Sequence, residues 1–365
     1  MSIVLTTFLA GLAGCASWNQ ACGTGEDGQL YGEALHDFAL DIPDPDALAD
    51  SSREESVDTP GTFLWNGAEW PAEVRLKGGH SFQPIEYKPA FKIDLGEARV
   101  DGVRRLTLNN MVQDASALSE EVSYALYAAL GVPAPRHGYA CLVVNGEDKG
   151  LYSVVETLDE LWLEGQGGTV LFESDGFADL TPELVGGFTE EEGEADLDAL
   201  VHAIEEDGVP TVLDRDFHPS VYAMLAGELL LGNPDGYASN VNNYLLMQAE
   251  ERWALVPWGQ DFNLRFRYGV THPISGLGAG PGVLYSGCVA DVDCVERLRS
   301  NIVDGRDTWL SMFPAGAEAA LERVGSASQL DPVDPYDQAK VRDAQDRALA
   351  YLRERPAVVA AELGL

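Results

Sequence analysis

Positive charge is what this 365-residue chain has least of: 23 Lys and Arg stand against 60 Asp and Glu, a net charge of −37. A chain so acidic repels phosphate backbones and anionic membrane faces, which argues against nucleic acid as a partner. Cysteine is scarce, five residues in all, and none stands at zinc-ligand spacing. The six histidines form no H-x-x-x-H pair, and there is no G-x-S-x-G nucleophile elbow. No internal repeat is visible, and beyond the first fifteen residues no apolar run approaches the length that spans a bilayer. What is present is a globular composition, 45% hydrophobic, long enough for a two-lobed core or for two domains sharing one cleft.

The opening run MSIVLTTFLAGLAGC is apolar, of signal-peptide length, and ends in Leu12-Ala13-Gly14-Cys15. Residues 1–15 therefore read as a signal and lipobox segment with Cys15 as the lipidated residue; a basic n-region is missing, so a plain apolar terminus is the alternative. Residues 16–35, small, polar and Gly-rich, read as a tether. The expectation is an exported chain, held to a bacterial membrane only through Cys15 or released to the periplasm or medium. An even set of cysteines then remains, Cys22, Cys141, Cys288 and Cys294, which suits disulfides in an oxidising compartment. Cys288 with Cys294 closes a short loop in that reading; four buried thiols is the other.

The fold begins near His36. Phe38, Leu40 and Ile42 alternate with polar residues as a half-buried strand does, and the Asp-, Pro- and Ser-rich stretch 43–60 reads as a loop. Strands are predicted at 62–65, 73–77, 90–95, 139–144 and 151–155, with Asn-Gly and Gly-Gly as turn signals. A helix is predicted over 117–130. Further on, Glu190 to Glu194 reads as a solvated loop, 220–231 as an apolar helix, and 243–248 and 253–256 as a hairpin. A charged helix over 337–355 ends at Pro356. The class is α+β: residues 36–160 form a mainly β part with one long helix, and 161–365 a mixed, largely helical part.

Two carboxylates flank the predicted hairpin, Asp235 in NPDGYASNVNNYLLM and Asp261 in RWALVPWGQDFNLRF. Asn240 follows Asp235 by five positions, the spacing at which a kinase-type loop sets its base Asp and a metal-binding Asn. One carboxylate suits accepting the proton of an attacking hydroxyl. The other, with Asn240, offers the hard oxygen ligands that Mg²⁺ prefers. An Asx-rich turn is the competing reading; a calcium loop fails for want of the terminal Glu and the D-x-D-x-D-G order.

The scarce cations cluster in RLKGGHSFQPIEYKPAFKIDL. There Gly78 and Gly79 let backbone amides approach phosphate oxygens, and Lys77, Ser81, Lys88 and Lys92 add charge or a hydroxyl. On a strand Lys88, Ala90 and Lys92 share one face. An ordinary Gly-Gly hairpin with exposed lysines fits the same residues. Glu120 or Glu121, in the first turn of the 117–130 helix, can hold a phosphate-binding lysine or merely favour the helix dipole. Glu156 falls where two lobes would join and adenine would sit, or is a strand-end charge.

Taken together, VRLKGGHSFQPIEYKPAFKIDL, LTLNNMVQDASALSEEVSYALYAALGVPAPRHGYACLVVNGEDKGLYSVVET, NPDGYASNVNNYLLM and LVPWGQDFNLRF resemble the CotH family of atypical kinases over roughly 38–309. The resemblance implies a divergent, two-lobed, protein-kinase-like fold. It would bind ATP with Mg²⁺ or Mn²⁺ and phosphorylate Ser or Thr of exported or surface proteins. By position it implies Asp235 as the catalytic Asp, Asp261 as the metal-binding Asp, Asn240 as second metal ligand and Glu120 as the helix Glu. Two departures stand out: Gly259 where the family often has Asp, in PWDxD, and Asn263 after Phe262 where ordinary kinases have Gly. No A-P-E segment is present. The competing class is a surface scaffold or adhesion module that keeps the fold without turnover.

Overall fold

The computed structural model describes residues 22, 29–52, 55–174, 176–264, 281–333 and 335–365. Segment 1–15, with Cys15, and most of the tether 16–35 lie outside the described residues.

The first half is a closed barrel. Its strands are β1 (Leu35–Asp41), β2 (Thr59–Trp65), β3 (Ala68–Lys77), β4 (Ala90–Asp94), β5 (Arg105–Asn109), β6 (His137–Val144) and β7 (Glu147–Glu156), in the spatial order β1-β2-β3-β4-β5-β7-β6. Every pairing is antiparallel except the closure, where β1 runs parallel to β6 with Leu35 opposite Tyr139. Closure leaves no strand edge exposed. Alternation points Phe63, Val74, Leu76, Phe91, Ile93, Leu106 and Leu108 into one apolar interior. Between β5 and β6 comes helix α1 (Ser119–Ala129), near the predicted span. Its Leu126 and Tyr127 pack not into the barrel but into the core of the helical half, which joins the two.

That half contains α2 (Glu160–Gly165), β8 (Gly168–Ser174), β9 (Phe188–Glu192), α3 (Leu197–Asp207), α4 (Val209–Asp216), α5 (Ser220–Leu231), α6 (Tyr237–Asn240), β10 (Tyr244–Ala249) and β11 (Arg252–Pro257). After these come α7 (Val283–Val289), α8 (Val292–Met312), α9 (Ala315–Leu330) and α10 (Gln338–Leu363). The strands form one sheet, ordered β11-β10-β8-β9. All twelve residues of α5 are buried, as an all-round apolar helix requires. Among the described residues no helix is long and apolar enough to cross a membrane.

Two expectations are corrected here. The Glu-rich run is only partly a loop: Glu190 to Glu192 end strand β9 (Phe188–Glu192), paired with β8, while Gly193 and Glu194 lie beyond it, and the strand's mostly exposed acids show no burial alternation. Nor does the last helix stop at Pro356, for α10 continues to Leu363. Proline removes the N–H that would bond the carbonyl of Leu352, four residues back. The indole N–H of Trp309 on α8 donates to that carbonyl instead, at 2.9 Å. One residue before the proline, buried Arg355 reaches the end of α5, donating from Nε to the Leu230 carbonyl at 2.9 Å and from Nη2 to the Leu229 carbonyl. A cation thereby caps the C-terminal carbonyls of the helix that leads into the Asp235 turn. Two disulfides are present, Cys22–Cys141 and Cys288–Cys294.

Candidate active site

A cleft of about 630 Å³ lies between the barrel and the second sheet. Its barrel wall is Lys77 and the turn Gly78, Gly79 and Ser81 after β3, with Lys92 of β4 and Asn109 of β5. Its other wall is the turn carrying Asp235, Asn242 and Asn243 ahead of β10, and the turn carrying Asp261 after β11. A neighbouring cavity of about 640 Å³ shares Arg75, Lys92, Glu173 and Trp258 with it and extends to Ile93, Thr157, Leu158, Asp159 and Leu245.

Asp235 is fixed by amides. The side-chain N–H groups of Asn240 (2.6 Å) and Asn242 (3.1 Å) donate to one carboxylate oxygen, and Asn243 donates to the other at 2.9 Å. Left-handed backbone at Val241 and Asn243 folds these three side chains around one acid. Asn240 is 2% exposed and sits behind Asp235, whereas Asn242 and Asn243 are the asparagines that line the cleft.

Asp261 rides on a single 3₁₀ turn, Gln260–Phe262, opened by Gly259 at φ +58°. A Cβ at position 259 would stand 2.6 Å from Asn243 Oδ1, so an aspartate there would require the Asn243 side chain to shift. Buried Gln260 and Asn263 bind this turn to its surroundings. Asn263 donates to Gln260 Oε1 at 2.9 Å and to Ser123 Oγ at 2.8 Å, and Ser119 donates to the Asn263 carbonyl at 3.2 Å. The Asp261 turn is thus fastened to α1, the helix that carries Glu120.

Lys77 donates to Asn109 Oδ1 at 2.6 Å, and Asn109 in turn donates to Glu120 Oε1 at 2.8 Å. The lysine and the helix glutamate are therefore connected through an asparagine. Ser153 completes Glu120 from the far side at 2.6 Å. Glu121 takes different partners, His137 at 2.8 Å and Arg323 at 2.9 Å. Burial pushes the Lys77 ammonium down to about 8; Lys92 adds to this, and Glu120, Asp261 and Glu173 oppose it.

Three sequence expectations fare differently. Lys88 is not a cleft lysine: it is 3% exposed and paired with Asp331 at 2.6 Å. It precedes β4, so the strand alternation that aims Lys92 at the cleft does not extend to it. Glu156 pairs with Arg136 at 2.6 Å and lines a side cavity with it; the following residues, Thr157 to Asp159, reach the cavity beside the cleft. Gly78, Gly79, Ser81 and Lys92 do line the cleft, and Gly78 at φ +118° makes the turn that a side chain would strain. Buried Asn110 holds that turn by donating to the carbonyls of Ser81 (2.9 Å) and Lys88 (2.8 Å).

Sequence reasoning missed Asn109, Gln260, Arg75 and Glu228. Two of these carried a visible signal, Arg75 as the first cation of the basic run and Glu228 as the lone charge in an apolar helix. Among the described residues no group of three or more His, Cys, Asp or Glu stands ready for a metal. Asp235, Asp261 and Glu173, with the cleft asparagines, offer carboxylate and amide oxygens, the donors that suit a hard divalent cation; His80 is the imidazole among the lining residues.

The CotH kinase protein family model matches residues 74–280. The chain belongs to this family. Inner spore coat protein H of Bacillus subtilis (strain 168) is 26% identical over 228 residues, 55% of this chain and 61% of that protein, so the CotH match spans less than two thirds of its relative. Among solved structures, HipA of Shewanella oneidensis MR-1, in complex with HipB and operator DNA, overlaps at TM-score 0.37 with 11% identity, over 87% of this chain and 67% of that one. The Helicobacter pylori proinflammatory kinase CtkA overlaps at 0.36 with 11% identity, over 88% and 94%. Overlaps this loose carry no argument, and the site rests on its own geometry.

Proposed function

We propose that this CotH-family chain is an ATP-dependent kinase that transfers a γ-phosphoryl group to Ser or Thr hydroxyls of exported or surface proteins, on a two-lobed, kinase-like scaffold. The observation that carries this is the meeting of Lys77, Asp235 and Asp261, from three separate elements, in one cleft.

Asp235 accepts the proton of the acceptor hydroxyl as its oxygen bonds to the γ-phosphorus; the bond from that phosphorus to the bridging oxygen breaks and ADP leaves. Three asparagine amides hold the carboxylate in one orientation beforehand, so little reorganisation remains for the reacting state. Lys77 and Lys92, with the amides of the Gly78-Gly79 turn, take the phosphates. Arg75 stands directly opposite Lys92 in the strand pairing. Like charges so placed are unfavourable alone and suit an anionic ligand. A Mg²⁺ or Mn²⁺ ion, when bound, would be held by Asp261 with amide oxygens of the cleft and would neutralise phosphate charge. Leu158, Leu245 and Trp258 give the adjoining cavity apolar surface for a flat base, with the 157–159 backbone beside it.

The scaffold reading has one observation in its favour: two disulfides suit an oxidising compartment, where ATP is scarce. Export, with lipid attachment at Cys15, belongs to both readings. The test is incorporation of label from γ-labelled ATP into a Ser- and Thr-rich protein acceptor, with Mg²⁺ or Mn²⁺. Asp261→Ala is expected to lower the rate by about a hundredfold or more. Equal, background-level labelling by wild type and variant would leave the scaffold.

A further inference from the structure

Helix α5 carries a single charge, Glu228, which is 1% exposed. A buried carboxylate must find donors. Here they are two successive backbone amides, Tyr237 N–H to Oε1 at 2.8 Å and Ala238 N–H to Oε2 at 2.6 Å. The main-chain carbonyl of the same residue accepts Asn233 N–H at 3.0 Å. Glu228 therefore grips both ends of the 233–238 turn, and Asp235 is at its middle. The backbone is drawn in closely: a Cβ on Gly236 would stand 2.5 Å from Glu228 Oε1.

We propose that Glu228 is a positioning residue for phosphotransfer: its ionised carboxylate, by accepting the Tyr237 and Ala238 amides, sets the turn that presents Asp235 to the acceptor hydroxyl. The proposal rests on the reading of Asp235 as the proton acceptor. Glu228 forms no ion pair among the described residues, and the titratable groups facing it are all acidic: Asp235 in the turn, Tyr127 on α1 and Tyr244 on β10. Only the two amides favour its anion. Burial, with Asp235 adding repulsion, pushes the carboxyl up to about 7. Protonation turns one of its acceptors into an O–H that faces an N–H, and one of the two bonds is lost.

Glu228→Gln makes the same exchange permanently, because its amide N–H₂ must face a backbone N–H. Two measurements on the full chain test the proposal. In hydrogen exchange at pH 8, the Tyr237 and Ala238 amides of the variant are expected to exchange about tenfold faster or more than in wild type. In γ-labelled ATP assays, its kcat is expected to fall about tenfold or more with KM for ATP within about twofold. The acid limb of the wild-type kcat profile, near pH 7, is expected to disappear from the variant. Gly236→Ala, which forces the turn off an unchanged carboxylate, is the second variant and should show the same kcat-specific loss; it carries the test if Glu228→Gln melts early. Unchanged amide exchange, or an unchanged kcat and acid limb beside an active wild type, overturns the proposal and leaves the kinase reading standing. A wild type that transfers no phosphate overturns the kinase reading and takes this proposal with it.

Discussion

Lys77 shows how the cleft tunes one side chain. Burial and the Lys92 charge hold its ammonium at about 8, against 10.5 in the open chain. The unfolded chain thus binds this proton over a range where the fold does not, so the fold without nucleotide gains stability from this group as pH rises from about 8 to 10.5. Phosphate binding moves the other way, because the attracting charge is lost above 8. We expect kcat/KM for ATP to decline above pH 8, and Lys77→Met to raise KM about tenfold or more while abolishing that limb. A Lys77→Met profile that still turns down at 8 would place the titration on another group. Glu228 has the opposite sign: its carboxyl rises from 4.5 to about 7 on folding, so its stabilisation is complete below 4.5 and lost as pH passes through 7. Asp235 and Asp261 were legible because each lies in a run with its own local logic, whereas Lys77 stood as one of three lysines, with Lys88 and Lys92, in a single basic run. Asn109 and Gln260 were not, since an amide bridging two elements leaves no periodic trace.

Elements were legible wherever alternation or helical spacing was clean, as in β2 to β4, α1, α5 and the β10–β11 hairpin. Strand β5, the run RLTLN, was passed over: three of its residues in a row are buried, so polar Thr107 breaks the apolar pattern, although the strand brings Asn109 to the cleft. The passage of α10 through Pro356 was beyond sequence reasoning for another reason: the compensating donor, Trp309, is on a different helix. Pro356 leaves the Leu352 carbonyl without an intrahelical donor, and the indole N–H replaces it in a buried setting. Trp309→Phe keeps most of the ring's packing and removes that donor. Stability is expected to fall by about 1–3 kcal/mol in guanidinium unfolding, the usual cost of stranding a buried carbonyl. A midpoint within error of wild type would mean that the carbonyl finds water or another partner.

For the whole molecule, what sequence reading could not supply is closure. A barrel completed by a parallel pairing of Leu35 with Tyr139 depends on contacts far apart in the chain, which no local pattern announces. A covalent tie secures the same region: Cys22–Cys141 joins the segment ahead of β1 to β6 across a separation of 119 residues, while Cys288–Cys294 spans 6 between α7 and α8. Loop-closure entropy makes the long tie worth about 5 kcal/mol and the short one about 2 kcal/mol. We therefore expect the double variant Cys22→Ala with Cys141→Ala to lose roughly twice the unfolding free energy lost by Cys288→Ala with Cys294→Ala, measured by guanidinium unfolding. The opposing influence is packing, because Cys288 and Cys294 are both fully buried in the helical core and Cys22 is only half-buried. Equal losses from the two pairs would show that core packing around the short bridge outweighs the constraint on the unfolded chain. A larger loss from Cys22–Cys141 would identify it as the staple that keeps the barrel closed.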